Sequence, residues 1–255
     1  MRTIIKYVFF DLIRNKVVIV YALILALLSF SLLSLDNNTS KGLLGLLNVT
    51  LLFVPLISVL FATIYFFNSI EFIELLLAQP VKRDKVLFAE FVGLAASLSI
   101  TYALGIGIPV LLLAPGMAAL TLLLSGVLLT LIFCALALLV FVLFKDKTKA
   151  IGASLVTALF FTLLFDGILL MFIYSFSDYP LEKAVLALIG FNPVDLARVL
   201  MLLQLDVAVL MGYSGALFQK FLGSAMGSAY SVACLLTWIG IPVLLAVRRF
   251  RKKDL

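Results

Sequence analysis

Histidine is absent from the 255 residues, and cysteine occurs only twice, at Cys134 and Cys234. Without histidine there is no Ser-His-Asp triad and no His-Glu-x-x-His zinc helix, and the mixed Cys/His zinc sets are excluded. Two cysteines, each set inside an apolar run, make no disulfide framework and read as small apolar fillers. Charge is scarce as well: Asp, Glu, Lys and Arg are 13% of the chain, where a soluble domain carries about 25%. The Gly-x-x-x-x-Gly-Lys-Ser/Thr phosphate loop is missing, so this chain does not cradle ATP in that way. An intramembrane aspartyl pair needs two carboxylates at membrane depth, and Asp166 alone stands clearly inside an apolar run, with Glu90 nearer a helix end. These absences argue against an enzyme and against a resident metal or other cofactor.

What the chain has in excess is apolar side chain: 65% of residues, with a mean hydropathy of +1.27. A globule of this length cannot hide that much from water, and several runs reach the roughly 20 residues that a bilayer-spanning helix needs. The expected fold class is therefore an all-α integral membrane protein. The formal charge of +6 does not point to nucleic acid, because the basic residues fall in short clusters between apolar runs, as topology signals do.

Residues 1–16 read as a basic amphipathic elbow helix. Ile4, Ile5, Val8, Phe9, Leu12 and Ile13 repeat at helical spacing, with Arg2, Lys6, Asp11 and Arg14 largely on the other side. The apolar run that follows is too long for a signal-peptide core and lacks a small-x-small cleavage site, so it reads as an uncleaved first span. Six spans are expected at about 17–35, 43–67, 86–113, 117–144, 150–174 and 226–247, in one transmembrane domain over 1–255. Ala114-Pro115-Gly116 joins the third and fourth as a tight hairpin.

Fifteen of the nineteen lysines and arginines fall at the amino terminus, in 68–85, in 145–149 and in the tail. Lys41, Lys183, Arg198 and Lys220 fall on the other side. The positive-inside rule then puts both termini in the cytoplasm, as an even number of spans also requires. The stretch 175–225 falls outside. Asp195, Arg198 and Asp206 interrupt its apolar segments, and each charge costs about 2.5–3.5 kcal/mol at mid-bilayer. Its helices are expected to lie on or above the outer surface, with a re-entrant pair over 184–211 as the alternative.

Segment 68–85 carries the most information. Ile70 to Leu77 has the length of two helical turns, with Glu71 and Glu74 on one edge and Phe72, Ile73, Leu76 and Leu77 on the apolar side. Pro80 ends it, and Lys82, Arg83 and Lys85 fix the next span on the basic side. Two readings fit: a stiff lever between two spans, or an amphipathic linker resting on lipid headgroups. Asp166 likewise has two readings, a carboxylate bonded to a neighbouring helix or a group lining a substrate path. Asn192 and Pro193 read as a helix cap with proline in first position, ahead of Asp195 and Arg198.

The stretch from Glu71 through Leu75-Leu76-Leu77 to Pro80-Val81 and Arg83, between the second and third of six spans, resembles the coupling-helix region of ABC-2 type permeases. The resemblance covers essentially the whole chain, including the elbow helix, the large outer segment before the last span and the basic tail. Gly190 to Leu200, with Asn192-Pro193, Asp195 and Arg198, followed by Leu202 to Asp206, resembles a subgroup that supports maturation of nitrous oxide reductase. The resemblance implies a homodimer in the bacterial inner membrane. Each half would engage a separate cytoplasmic ABC ATPase through Ile70, Glu71, Phe72, Glu74, Leu75, Pro80 and Arg83. It further implies a periplasmic β-helical partner, met by Asn192, Pro193, Asp195 and Arg198, and a part in supplying sulfur- or copper-related material. A permease that only transmits motion, a general ABC-2 exporter with another substrate, and an autonomous carrier using Asp166 are the rival readings.

Overall fold

The computed structural model describes residues 1–35, 39–176, 182–204 and 212–251. The sequence expectations that rest on Pro180, Leu205, Asp206, Lys252 and Lys253, and on the side chains of Lys183 and Lys220, lie outside what is described. Among the described residues the regular structure is entirely helical, in ten elements. They are α1 (Arg2–Ile13), α2 (Lys16–Ser34), α3 (Thr39–Asn68), α4 (Ile70–Leu77), α5 (Arg83–Leu113), α6 (Met117–Leu143), α7 (Lys147–Ser175), α8 (Glu182–Gly190), α9 (Pro193–Gln204) and α10 (Gly212–Phe250). Six helices are long and apolar enough to cross a bilayer: α2, α3, α5, α6, α7 and the Met226–Phe250 part of α10. The protein is an all-α, multi-pass membrane bundle.

Helix α6 is the axis. In its most apolar stretch 78% of residues are buried, against 22% for α2, α7 and the last span, which leave their leucines facing outward. That distribution follows from the solvent, because lipid does not drive apolar faces together. Contact is made instead by close packing and by a few hydrogen bonds. Tyr102 on α5 lies against Gly126 on α6, donates to the Leu122 carbonyl at 3.2 Å, and has the Thr50 hydroxyl of α3 at 3.2 Å. Thr63 of α3 and Ser154 of α7 share a hydrogen bond of 2.7 Å. Phe66 and Phe67 of α3 close on Phe141 of α6.

Two spans widen to π-helix, at Ala103–Gly107 in α5 and at Phe160–Leu164 in α7. The first has a direct cause. Pro109 has no N–H to give to residue 105, and its ring crowds that carbonyl, so the preceding turn opens to i→i+5 bonding. Gly105, in the widened turn, brings α5 against the Ala22 carbonyl and the Leu25 side chain of α2.

Helix α1 packs along the start of α5. Val8 and Leu12 are fully buried while Arg2, Lys6, Asp11 and Arg14 are exposed, and Gly93 of α5 makes room for Val8.

A methyl group at Gly126 would stand 2.0 Å from the Tyr102 ring, so something must shift. Gly126→Ala is expected to destabilise the bundle by about 1–3 kcal/mol. The fall in thermal midpoint of the detergent-solubilised protein measures this, and Tyr102→Leu in the same chain should restore part of it. Equal midpoints for Gly126→Ala and the parent would disprove the contact.

Candidate functional site

One end of the bundle gathers four separate pieces of sequence. The Tyr7 ring of α1 stacks on Phe72 of α4 at 5.4 Å between centroids. Lys147 at the start of α7 donates to the Asn68 side chain at 2.7 Å. Arg251, just past α10, donates through Nε to both oxygens of Asp84 at 2.9 Å, and the carboxylate pushes the guanidinium's pKa up by hydrogen bonding and charge. The amino terminus, segment 68–85, residues 145–149 and the carboxyl-terminal end of the last span therefore share one face. These are the stretches that hold most of the lysine and arginine.

At the centre of this end is α4, bounded by Ile70 and Leu77. Ile73 is fully buried and holds the helix to the bundle, with Phe72 half-buried against Tyr7. Glu71, Glu74 and Leu75 point away, Leu75 with 69% of its surface exposed. Pro80 is exposed in the turn after the helix, and Arg83 begins α5. The apolar side expected from the sequence thus divides. Ile73, Phe72, Leu76 and Leu77 face inward to varying degrees, and the outward face is Glu71, Glu74 and Leu75. Phe72 is taken by Tyr7 rather than offered outward.

The second cluster lies at the other half of the molecule. Helices α8 and α9 meet at a bend of 109°. Asn192 caps α9, accepting from the Val194 N–H at 3.0 Å, with Pro193 in first position. The same amide donates to the Phe161 carbonyl of α7 at 3.0 Å and to Asp195 at 2.8 Å. Arg198 donates to Asp195 at 3.0 Å and to Asp166 of α7 at 2.9 Å. Trp238 of α10 donates to the Gly190 carbonyl at 3.2 Å and sets its ring edge-on to Phe161.

Helices α8 and α9 pack against two of the spans, the arrangement that the re-entrant alternative over 184–211 expects. At a rise of about 1.5 Å per residue, Phe161 stands about 20 Å from the Lys147 end of α7, and Trp238 about 18 Å from the Phe250 end of α10. Both touch the bend, so it meets these two spans well inside their length rather than at their ends. The pair dips into the bundle and returns. Asn192 is fully buried and Asp195 has 5% of its surface exposed, so neither forms part of an open docking face. The charges that argued against burial are partnered there, Arg198 bridging the two carboxylates and Asn192 capping α9, which lowers the cost of burying them. Sequence reasoning named all four polar residues but set Asp166 apart from the other three. The missing signal was the distance in sequence: Asp166 and Arg198 lie in different helices.

Glu90, near the start of α5, is fully buried and accepts from the Tyr65 hydroxyl at 3.1 Å. No group of three or more Cys, Asp and Glu able to hold a metal occurs among the described residues. Cys134 is buried within α6, and Cys234 is half-buried on α10.

This architecture is that of a multi-pass α-helical membrane protein. Residues 3–255 match the model of the family described as "ABC-2 family transporter protein", and the chain belongs to that family. It is similar to the "Probable ABC transporter permease protein NosY" of Stutzerimonas stutzeri, 29% identical over 276 aligned positions that cover 95% of each chain. It is also similar to the protein of the same description from Pseudomonas aeruginosa, 26% identical over 96% of this chain and 95% of that one. The protein is thus a permease subunit of the ABC transporter type.

Arg198→Gln leaves Asp166 and Asp195 facing each other without a cation. Because Asp166 and Arg198 are each about one-third exposed, a loss of about 1–3 kcal/mol is expected rather than the larger figure for a sealed pair. Asp166→Asn, which leaves the Arg198–Asp195 bond, should cost less. Thermal unfolding of the two purified variants checks the order, and a reversed order would refute the arrangement.

Proposed function

We propose that this permease couples ATP hydrolysis on a separate cytoplasmic ABC ATPase to transport or mechanical signalling across the bacterial inner membrane. It would do so as a homodimer, in copper-sulfide cluster assembly of nitrous oxide reductase. The observation that carries the coupling is the form of α4. A two-turn helix fixed at its back by Ile73 and at its side by the Tyr7–Phe72 stack presents Leu75 between Glu71 and Glu74. An exposed leucine flanked by carboxylates suits a pocket with a basic rim on a partner. The helix joins α3 to α5, so displacement of α4 reaches two spans at once and shifts them as rigid bodies. The displacement has a driving force only if the ATPase grips α4 differently with and without nucleotide.

The nitrous oxide reductase role is supported by the Asn192-Pro193, Asp195 and Arg198 element and by similarity to the two NosY-described permeases. With Asn192 and Asp195 inside the bundle, that element serves a periplasmic β-helical partner indirectly. It sets the position of α9 and of whatever surface the hairpin carries outward. The Arg198–Asp166 bond gives Asp166 a partner within the bundle, which supports the bonded-neighbour reading over a carrier site.

Leu75→Asp should reduce recovery of the ATPase on the affinity-purified permease by about tenfold or more. Full recovery with full stimulation of ATP hydrolysis would remove α4 from the interface. Orientation has its own test, in a chain carrying Cys234→Ser and a single new cysteine. With both termini in the cytoplasm, a membrane-impermeant thiol reagent applied to intact spheroplasts should label Gly116→Cys and leave Gln79→Cys unlabelled. Labelling at Gln79→Cys would put the lever in the wrong compartment.

A further inference from the structure

At the basic end of the bundle, a cleft of about 690 Å³ opens between the end of α6 and the end of α10. Its rim carries Lys145, Arg248, Arg249 and Arg251, and its wall includes Leu143 and Leu245. All four basic side chains are exposed. Arg251 is held in place by Asp84, whereas Lys145, Arg248 and Arg249 make no ion pair with any described residue. The two leucines are also open, Leu143 at 49% and Leu245 at 45% exposure, on the sides of membrane-spanning helices.

We propose that this cleft binds an anionic phospholipid. The headgroup phosphate would sit among Lys145, Arg248 and Arg249, with an acyl chain along Leu143 and Leu245. The argument is one of chemical layering. The cations stand at the ends of spans, where headgroups lie, and the apolar wall continues from them in the direction of the hydrocarbon. A free phosphate or a nucleotide would use the rim and leave the leucines uncovered. A lipid matches both halves of the cleft, and basic pockets between transmembrane helices are a recurring site for anionic headgroups. The Asp84–Arg251 pair gives the site a fixed edge, because it fastens the last helix to the start of α5. The chain connects α4 to the same start of α5, so a bound lipid would stiffen the part of the bundle that carries the outward helix. The site itself does not depend on the coupling role proposed above.

The test is native mass spectrometry of the full-length permease in detergent, titrated with phosphatidylglycerol, with phosphatidylcholine of the same chains, or with inorganic phosphate. Phosphatidylglycerol is expected to bind at least tenfold more tightly than phosphatidylcholine, with no displacement by phosphate at equal concentration. The double change Arg248→Gln with Arg249→Gln should weaken phosphatidylglycerol binding by about tenfold or more, each charge near a headgroup being worth roughly a fivefold change. Arg248→Lys with Arg249→Lys should keep most of it, which separates loss of charge from loss of fold. Equal affinity for the two lipids, or undiminished phosphatidylglycerol binding by the Gln variant, would overturn the proposal. So would displacement by phosphate alone. Lipid binding unchanged but ATPase recovery lost in the Gln variant would assign the cleft to a protein instead.

Discussion

Lipid offers no hydrogen bonds, and that constraint bears on every polar group that this molecule carries into its bundle. A backbone that breaks inside hydrocarbon has to find partners from the protein itself. The bend between α8 and α9 is a break packed within the bundle, and several of its polar groups are met in this way. Asn192 takes the Val194 N–H and gives to the Phe161 carbonyl, while Trp238 takes care of the Gly190 carbonyl. The Asp195–Arg198–Asp166 chain then compensates the charges carried in with it. Without these bonds the cost of an unpaired polar group in an apolar medium, several kcal/mol each, would push the segment out.

The same constraint explains why the bundle has a tight middle and a loose rim. Helix α6 is enclosed because the side chains around it either interdigitate or bond, as Tyr102 does with Gly126, Leu122 and Thr50. Helices α2 and α7 have mainly leucine, isoleucine and phenylalanine on their outer faces, for which lipid is as good a neighbour as protein. At the basic end water returns, and there the contacts change character. Ion pairs and amide bonds such as Arg251–Asp84 and Lys147–Asn68 replace packing as the means of fixing separate segments to one another.

Much of this was legible in the residues. Composition demanded membrane helices, and the length of each apolar run placed six spans near where six long apolar helices stand. Ile70 to Leu77 gave the limits of α4, because isoleucine and leucine at helical spacing stop at Gln79-Pro80. Two things escaped. Amphipathic spacing grouped Phe72 with the inner residues of α4 and left it as an anchor for a partner, but could not say that Tyr7, far away in sequence, would cover it. And a per-residue insertion cost counted Asp195 and Arg198 as separate charges. The cost of three groups joined through Arg198 is not the sum of their isolated costs, and the third member, Asp166, belongs to another helix.

The inward fold of α8 and α9 also has a consequence for biogenesis. Neither limb has the length to cross a bilayer on its own, so the insertion machinery has no reason to release it sideways as a span. Its seat is made in part by Trp238 and Tyr230 of the last helix, which are translated afterwards. The hairpin therefore must wait for the carboxyl-terminal helix before it can dock. Maturation of this subunit ends with the insertion of a wedge into a bundle already standing.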